Sequence, residues 1–265
     1  MVGNWVSRRS LALAWSASVL TALPALAQVC PELLGRWPYG SVGPIAVSGE
    51  LAYFASGEAL VIADISEPSA PRVVGRVVVP GGATGVAVAG GFAFVVAESE
   101  GLRVIDVNEP SAPVEVGFLG GWYSAAGVAV SDGYAYVAVD SGSPRGLRAI
   151  DVSTPSAPVE VGHFQTWHYA MGIAVSGRYA YLANCEDGVR VIDISTPSAP
   201  VQVGSVDTPD CATSIVVSHP YAYVADDSSG LRVIDVSTPS APVEVGFPGT
   251  GVANEVALDG SHAFV

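Results

Sequence analysis

The chain repeats itself about every 42 residues, and a period of that length restricts its fold more than any other feature. The phrase RVIDVNEPSAPVEVG at Arg103 returns as RAIDVSTPSAPVEVG at Arg148, RVIDISTPSAPVQVG at Arg190 and RVIDVSTPSAPVEVG at Arg232. A diverged first copy, VIADISEPSAPRVVG, begins at Val61. Asp64, Asp106, Asp151, Asp193 and Asp235 mark the register, at separations of 42, 45, 42 and 42 residues. The three extra residues fall within 140–145.

Each unit holds four short β-like runs. In the fifth copy these are 214–217, 221–225, 231–236 and 243–247, here strands A to D. Between A and B lies the turn 218–220, and between B and C the loop 226–230, made of turn formers. Residues 237–242 carry two prolines and cannot pair as a central strand. Four strands per 42 residues is the spacing of a β-propeller blade. A β-solenoid needs shorter coils, and the 3.6-residue period of helical repeats is absent. The fold class expected is therefore all-β, a propeller of four-stranded blades. Its units are 45–80, 81–119, 120–164, 165–206 and 207–247, with a partial sixth at 248–265. Residues 31–37 resemble a lone strand D, expected to close the ring by joining the C-terminal strands. Strand C of that sixth blade is missing, so the sequence reads as truncated at its C-terminal end.

The phrases GLRVIDVSTPSAPVEVG and YAYVAD resemble the LVIVD repeat family over nearly all of residues 28–265. That resemblance implies a β-propeller in an exported or surface protein of bacteria or archaea. It implies little about biochemistry, because fold does not supply function.

Residues 1–27 read as a signal peptide: Arg8 and Arg9, an uncharged apolar run at 11–23, then Ala25-Leu26-Ala27 as a small-x-small cleavage site. Both a general secretory signal and a twin-arginine signal fit this stretch. The protein is thus expected outside the cytoplasm: periplasmic, extracellular or on the cell surface. The residues after 27 hold no apolar run long enough to span a membrane. The net charge is −14, and there is no lysine, which argues against a nucleic-acid partner.

Several columns of the repeat carry candidate chemistry. Arg103, Arg148, Arg190 and Arg232 each precede Asp106, Asp151, Asp193 and Asp235 by three residues. An odd separation puts the two side chains on opposite faces of a strand, so an ion-pair ladder from each blade to the next is expected. The alternative is that each aspartate caps the turn after strand C. The B–C loops are acidic, with Glu98, Asp140, Glu186, Asp187, Asp226 and Asp227 as a weak candidate ring for Ca²⁺. No D-x-D-x-D-G loop supports it, and the expectation is that the chain has no cofactor. The D–A loops of two neighbouring blades are aromatic, Trp122-Tyr123 and Trp167-His168-Tyr169, at matching distances before Gly127 and Gly172. Exposed aromatics beside acids suit the grip of a peptide or a sugar ring. Cys185 and Cys211 lie in loops expected to be adjacent, so a disulfide between them is a candidate, with Cys30 left over.

No serine-nucleophile elbow or phosphate-binding glycine loop occurs. The residues therefore favour a non-enzymatic exported scaffold that binds a protein or a glycan. A propeller-based metal-assisted hydrolase or lyase is the rival reading, and a structural repeat region of a longer surface protein is the third.

Overall fold

The computed structural model describes residues 43–265 apart from Glu98, Tyr123, Ser143 and Ser261, and the backbone of Asn4–Val6 and Leu33–Arg36. Five four-stranded antiparallel sheets follow one another, each running A-B-C-D in chain order. Blade one is Ile45–Ser48, Leu51–Ala55, Ala59–Asp64 and Arg72–Val78. Blade two is Ala83–Ala89, Phe92–Ala97, Gly101–Asp106 and Val114–Leu119. Blade three is Ser124–Ser131, Tyr134–Ser141, Gly146–Asp151 and Val159–Gln165. Blade four is Gly172–Ser176, Tyr179–Ala183, Val189–Asp193 and Val201–Val206. Blade five is Ser214–Ser218, Tyr221–Ala225, Leu231–Asp235 and Val243–Gly246. A hairpin, Ala257–Asp259 with His262–Phe264, follows. Among the described residues there is no helix.

Leu33–Arg36 lies within the stretch expected to close the ring, but it pairs with Asn4–Val6 rather than with the C-terminal hairpin.

The blades converge on their A strands, each packing against the A strand of the next. Space there is short. A Cβ on Gly85 would lie 3.0 Å from the Cα of Gly127, and one on Gly172 would lie 3.1 Å from the Cα of Ser214. Thr84 donates its hydroxyl to the Ala125 carbonyl, stitching the A strands of blades two and three together, and Thr213, just before strand A of blade five, donates to the Asn254 carbonyl at 3.0 Å in the segment before the hairpin. Farther out, neighbouring blades share apolar layers. Phe94, Leu102 and Val104 of blade two pack with Val137, Val139 and Ile150 of blade three, and Tyr181 and Val191 of blade four pack with Val224 and Ile234 of blade five. Strands B and C of blades two, three and four are apolar on both faces because each of these blades lies between two others.

The proline-rich phrase after strand C is a turn with a fixed chemistry. The Asp carboxylate accepts the backbone N–H two residues on, at Ser66, Asn108, Ser153, Ser195 and Ser237, over 2.8–3.0 Å. Next comes a β-turn closed by the alanine N–H on the carbonyl three residues back, as from Ala157 to Thr154 and from Ala241 to Thr238, both 2.9 Å. Proline sits at the second position of that turn, where its locked φ belongs.

The expected inter-blade ladder is not formed. Arg103, Arg148 and Arg232 turn to the strand D of their own blade, bonding Glu115 at 2.9 Å, Glu160 at 2.8 Å and Glu244 at 3.2 Å. In blade four Gln202 stands in place of the glutamate, and Arg190 bonds Asp187 at 2.8 Å instead. The aspartates Asp106, Asp151, Asp193 and Asp235 are occupied by their turns, so they cap rather than pair with the arginine column. A β-bulge explains the geometry. In every blade the C–D register slips by one residue in the Val-Glu-Val-Gly stretch or its equivalent. The slip breaks the alternation of faces and brings Glu115 and Phe118 to the same side of strand D, where Arg103 lies against both, 4.9 Å from the Phe118 ring centre.

Candidate functional site

The loops joining B to C and D to the next A come together at blades three and four, and four side chains there give the site its character. Trp167 is 86% exposed and Tyr169 49%. The tip that carries them is held from below. Gln165 ends strand D of blade three, and buried Thr166 then donates its hydroxyl to the His168 carbonyl at 2.9 Å, which tightens the turn and puts Trp167 at its crest. Arg145 donates to the Trp167 carbonyl at 3.4 Å and lies over the Tyr169 ring, 5.2 Å from its centre. Arg145 belongs to the one stretch where the repeat is three residues longer, and the sequence reading passed it over. The signal was there: an insertion that breaks a strict repeat has something to hold.

His168 forms the other side of the site. Its Nδ1 lies 3.3 Å from a Glu186 carboxylate oxygen, and its Nε2 lies 3.9 Å from Asp187. Asp187 is itself fixed by Arg190 at 2.8 Å and by the Asn184 amide at 2.8 Å. Cys185, next to these acids, is bonded to Cys211. Cys185 and Ala212 also exchange a pair of backbone hydrogen bonds at 3.2 Å. The B–C loop of blade four is thereby tied to the segment entering blade five. The site is an aromatic crest flanked by a guanidinium on one side and a histidine–carboxylate ledge on the other.

The second aromatic loop does not join it. Trp122 is only 5% exposed, inside the apolar layer between blades two and three, with Arg148 5.8 Å from its ring centre. Its loop is shorter, four residues between Leu119 and Ser124 against six between Gln165 and Gly172, so it has no room for a crest. Trp122 is a core residue, and Tyr123 lies outside the described residues.

The acidic loops do not converge either. Among the described residues, no group of three or more His, Cys, Asp or Glu side chains is arranged to hold a metal ion. Glu98 lies outside the described residues, and Asp140 is separated from Asp226 by blade four. Asp226 is fully buried. It accepts the Thr208 hydroxyl at 2.6 Å and the Asp210 N–H at 3.1 Å. Burial raises its pKa above the ordinary carboxylate value, partly opposed by those hydrogen bonds. It fastens the D–A segment of blade four to the B–C loop of blade five and is not open to a cation. Asp227 takes a left-handed backbone, φ 40°, and its carbonyl accepts the Ala253 N–H at 2.8 Å.

No helix among the described residues is long and apolar enough to cross a membrane.

Comparison with known proteins places this geometry in a wide structural class. A functionally unknown protein from Desulfotomaculum acetoxidans DSM 771 superimposes with a TM-score of 0.70 at 17% identity, over 81% of this chain and 72% of that one. A chain from a crystal structure of the mitotic checkpoint complex gives 0.68 at 13% identity, over 86% and 72%. The WD40 repeats of RRP9 give 0.64 at 14% identity, over 80% and 68%. At such identities the likeness is one of fold, and it is a propeller fold. No curated protein matches the sequence. The LVIVD repeat model matches five times in succession, at residues 39–79, 80–119, 124–166, 168–208 and 211–247. With the matches covering most of its length and each falling on one four-stranded blade, the chain belongs to the LVIVD repeat family.

Proposed function

We propose that this protein is an exported, non-enzymatic binding scaffold whose recognition surface is the loop crest of blades three and four. The observation that carries the reading is Trp167, a large aromatic side chain left 86% exposed on a loop that is anchored rather than slack. Preorganised aromatics of this kind supply contact area at little entropic cost. Tyr169 and the Arg145 guanidinium extend the surface, and Glu186 and Asp187 add negative charge beside it. Such a set suits a sugar ring stacked on the indole, or a peptide with an apolar residue followed by a basic one. The signal-like residues 1–27 and the Cys185–Cys211 bond support a location outside the cytoplasm. That one structural neighbour comes from the mitotic checkpoint complex is in keeping with a propeller that works by holding other molecules. The hydrolase or lyase reading has no comparable support, since the described acids do not gather at one point.

The test is a screen of the purified chain against immobilised oligosaccharides and peptides, followed by calorimetric titration of any binder. W167A is expected to weaken binding roughly tenfold or more while leaving the melting temperature unchanged. Y169A should weaken it less. A binder indifferent to both substitutions would remove the crest as the recognition surface.

A further inference from the structure

In blades two and four the residue before the glycine that leads into strand C is an acid, and it pairs with the arginine three residues on. Glu100 meets Arg103 at 3.3 Å and Asp187 meets Arg190 at 2.8 Å. Blade three inverts this charge. Arg145 stands there, three residues before Arg148, and Arg148 turns its second arm to the Pro144 carbonyl instead, at 2.9 Å. Arg145 therefore adds nothing to the ion pairs that the repeat uses elsewhere. Among the described residues, Arg76 and Arg145 are the two arginines without a carboxylate partner. Acids outnumber arginines 25 to 11 in this chain, so an arginine held apart from all of them is a placed charge and not a surplus one.

Arg145 is also held in one pose. It lies over the Tyr169 ring, 5.2 Å from its centre, and one arm reaches the Trp167 carbonyl at 3.4 Å. Its remaining N–H groups have no acceptor among the described residues and form a planar fork suited to a carboxylate. The acids of the ledge are partnered already. Asp187 has Arg190 and the Asn184 amide, both at 2.8 Å, and Glu186 has the His168 ring at 3.3 Å. Beside the guanidinium, Trp167 is 86% exposed, so its indole offers an open flat face rather than a cleft. The apolar side chain of a peptide gains most in a pocket that covers it. A sugar ring needs only the face, on which its C–H groups stack.

We infer that the ligand of this crest is an acidic glycan, with a uronic acid ring stacked on Trp167 and its carboxylate paired two-fold with Arg145. The inference rests on the recognition reading above and narrows it from glycans and peptides to sugars that carry a carboxylate. The net charge of −14 does not oppose it at contact, because charges more than about 8 Å away are largely screened at physiological ionic strength.

Calorimetric titration of the purified chain with oligomers of galacturonic, glucuronic and mannuronic acid tests it, each beside its methyl ester. At least one acid is expected to bind roughly tenfold tighter than its ester, or more. R145Q should bring acid and ester to the same affinity, and R145K should keep part of the preference, since an ammonium retains the charge without the fork. W167A should weaken acid and ester by the same factor. The ratio of acid to ester is the readout, because a crest merely loosened by the loss of Arg145 lowers both affinities and leaves their ratio alone. Acid and ester bound alike, a ratio that survives R145Q, or no binding by any of the three acids overturns the inference. The crest itself is judged separately, by the effect of W167A on whatever neutral sugar or peptide the wider screen yields, so the two readings fail apart.

Discussion

At the scale of the residue, the repeat carries two kinds of charge pair with different worth. The Arg–Glu pairs between strands C and D are the better shielded. Arg148 is 12% exposed and Glu160 27%, and the guanidinium also accepts no water-rich surroundings in exchange, since the Pro144 carbonyl takes its other arm at 2.9 Å. Removing the glutamate leaves that cation half-desolvated. Glu160→Ala is expected to cost about 1–3 kcal/mol in urea unfolding. Blade one has valine at both positions, Val61 and Val73, so the double change of Arg148 and Glu160 to valine should recover most of the loss. The turn aspartates respond to acid. Their partners hold the pKa of Asp64 down to about 2, through Ser66 first and then Arg72, and that of Asp193 to about 2, through Arg178 first and then Ser195. Asp151 and Asp235 are lowered as well, chiefly by Ser153 and Ser237. A carboxylate lowered in the fold stabilises above its unfolded value, and that contribution is lost as pH falls through the folded one. Melting temperature should therefore decline between about pH 4 and pH 2. Buried Asp226 works in the other direction, its unfavourable charge being relieved on protonation, so Asp226→Asn should make the acid decline steeper. The aspartate caps were legible as one of two readings of a single column. The arginine's true partner was harder to see, although the two columns vary together: valine at both in blade one, Val61 and Val73, and Arg with Glu in blades two, three and five.

At the scale of the element, the obstacle to reading the chain was the bulge. Strict alternation assigns Glu115 and Phe118 to opposite faces, and one slipped residue puts them together on Arg103. An alternating pattern cannot reveal the residue that steps out of it, because Val-Glu-Val reads as regular alternation whether or not its second valine is bulged. The glycine that follows has a sharper consequence. Gly204→Ala drives a methyl into the Pro239 carbonyl and must push blades four and five apart, at a cost of about 1–3 kcal/mol or more. Gly246→Ala meets no such obstacle and should leave stability within about 0.5 kcal/mol of wild type. Denaturant midpoints of the two variants compare them directly, and equal losses would show that the glycines serve the bulge rather than the stacking. Loop length misled the reading in the same way. Trp122 and Trp167 precede their glycines by the same count, yet two more residues outside the strands make one a crest and leave the other in the core. The Cys185–Cys211 bond spans 26 residues and ties blade four to the entry of blade five. Its removal by Cys211→Ser is expected to cost roughly 3 kcal/mol.

At the scale of the whole molecule, the repeat made the architecture plain because each blade is the same solution to the same problem. A four-stranded sheet with two apolar faces must be covered on both, and only another blade covers it well. Energies in such an array are sums of blade terms and nearest-neighbour terms. Blades two, three and four each have two neighbours. Blade five has blade four on one side and a two-stranded hairpin on the other, which reaches Leu231 but leaves Val233 and Tyr223 half open. Local opening should follow that difference, because protection of backbone amides tracks the free energy of the smallest unfolding event that exposes them. In hydrogen exchange, the amides of Leu231–Asp235 are expected to exchange before those of Gly146–Asp151 and Val189–Asp193, although the three strand C segments are nearly the same in sequence. Identical segments with different rates would place the cause in the neighbour and not in the strand. Equal rates in all of them would mean that the array opens as one unit, and that the exposed face of blade five costs the fold nothing.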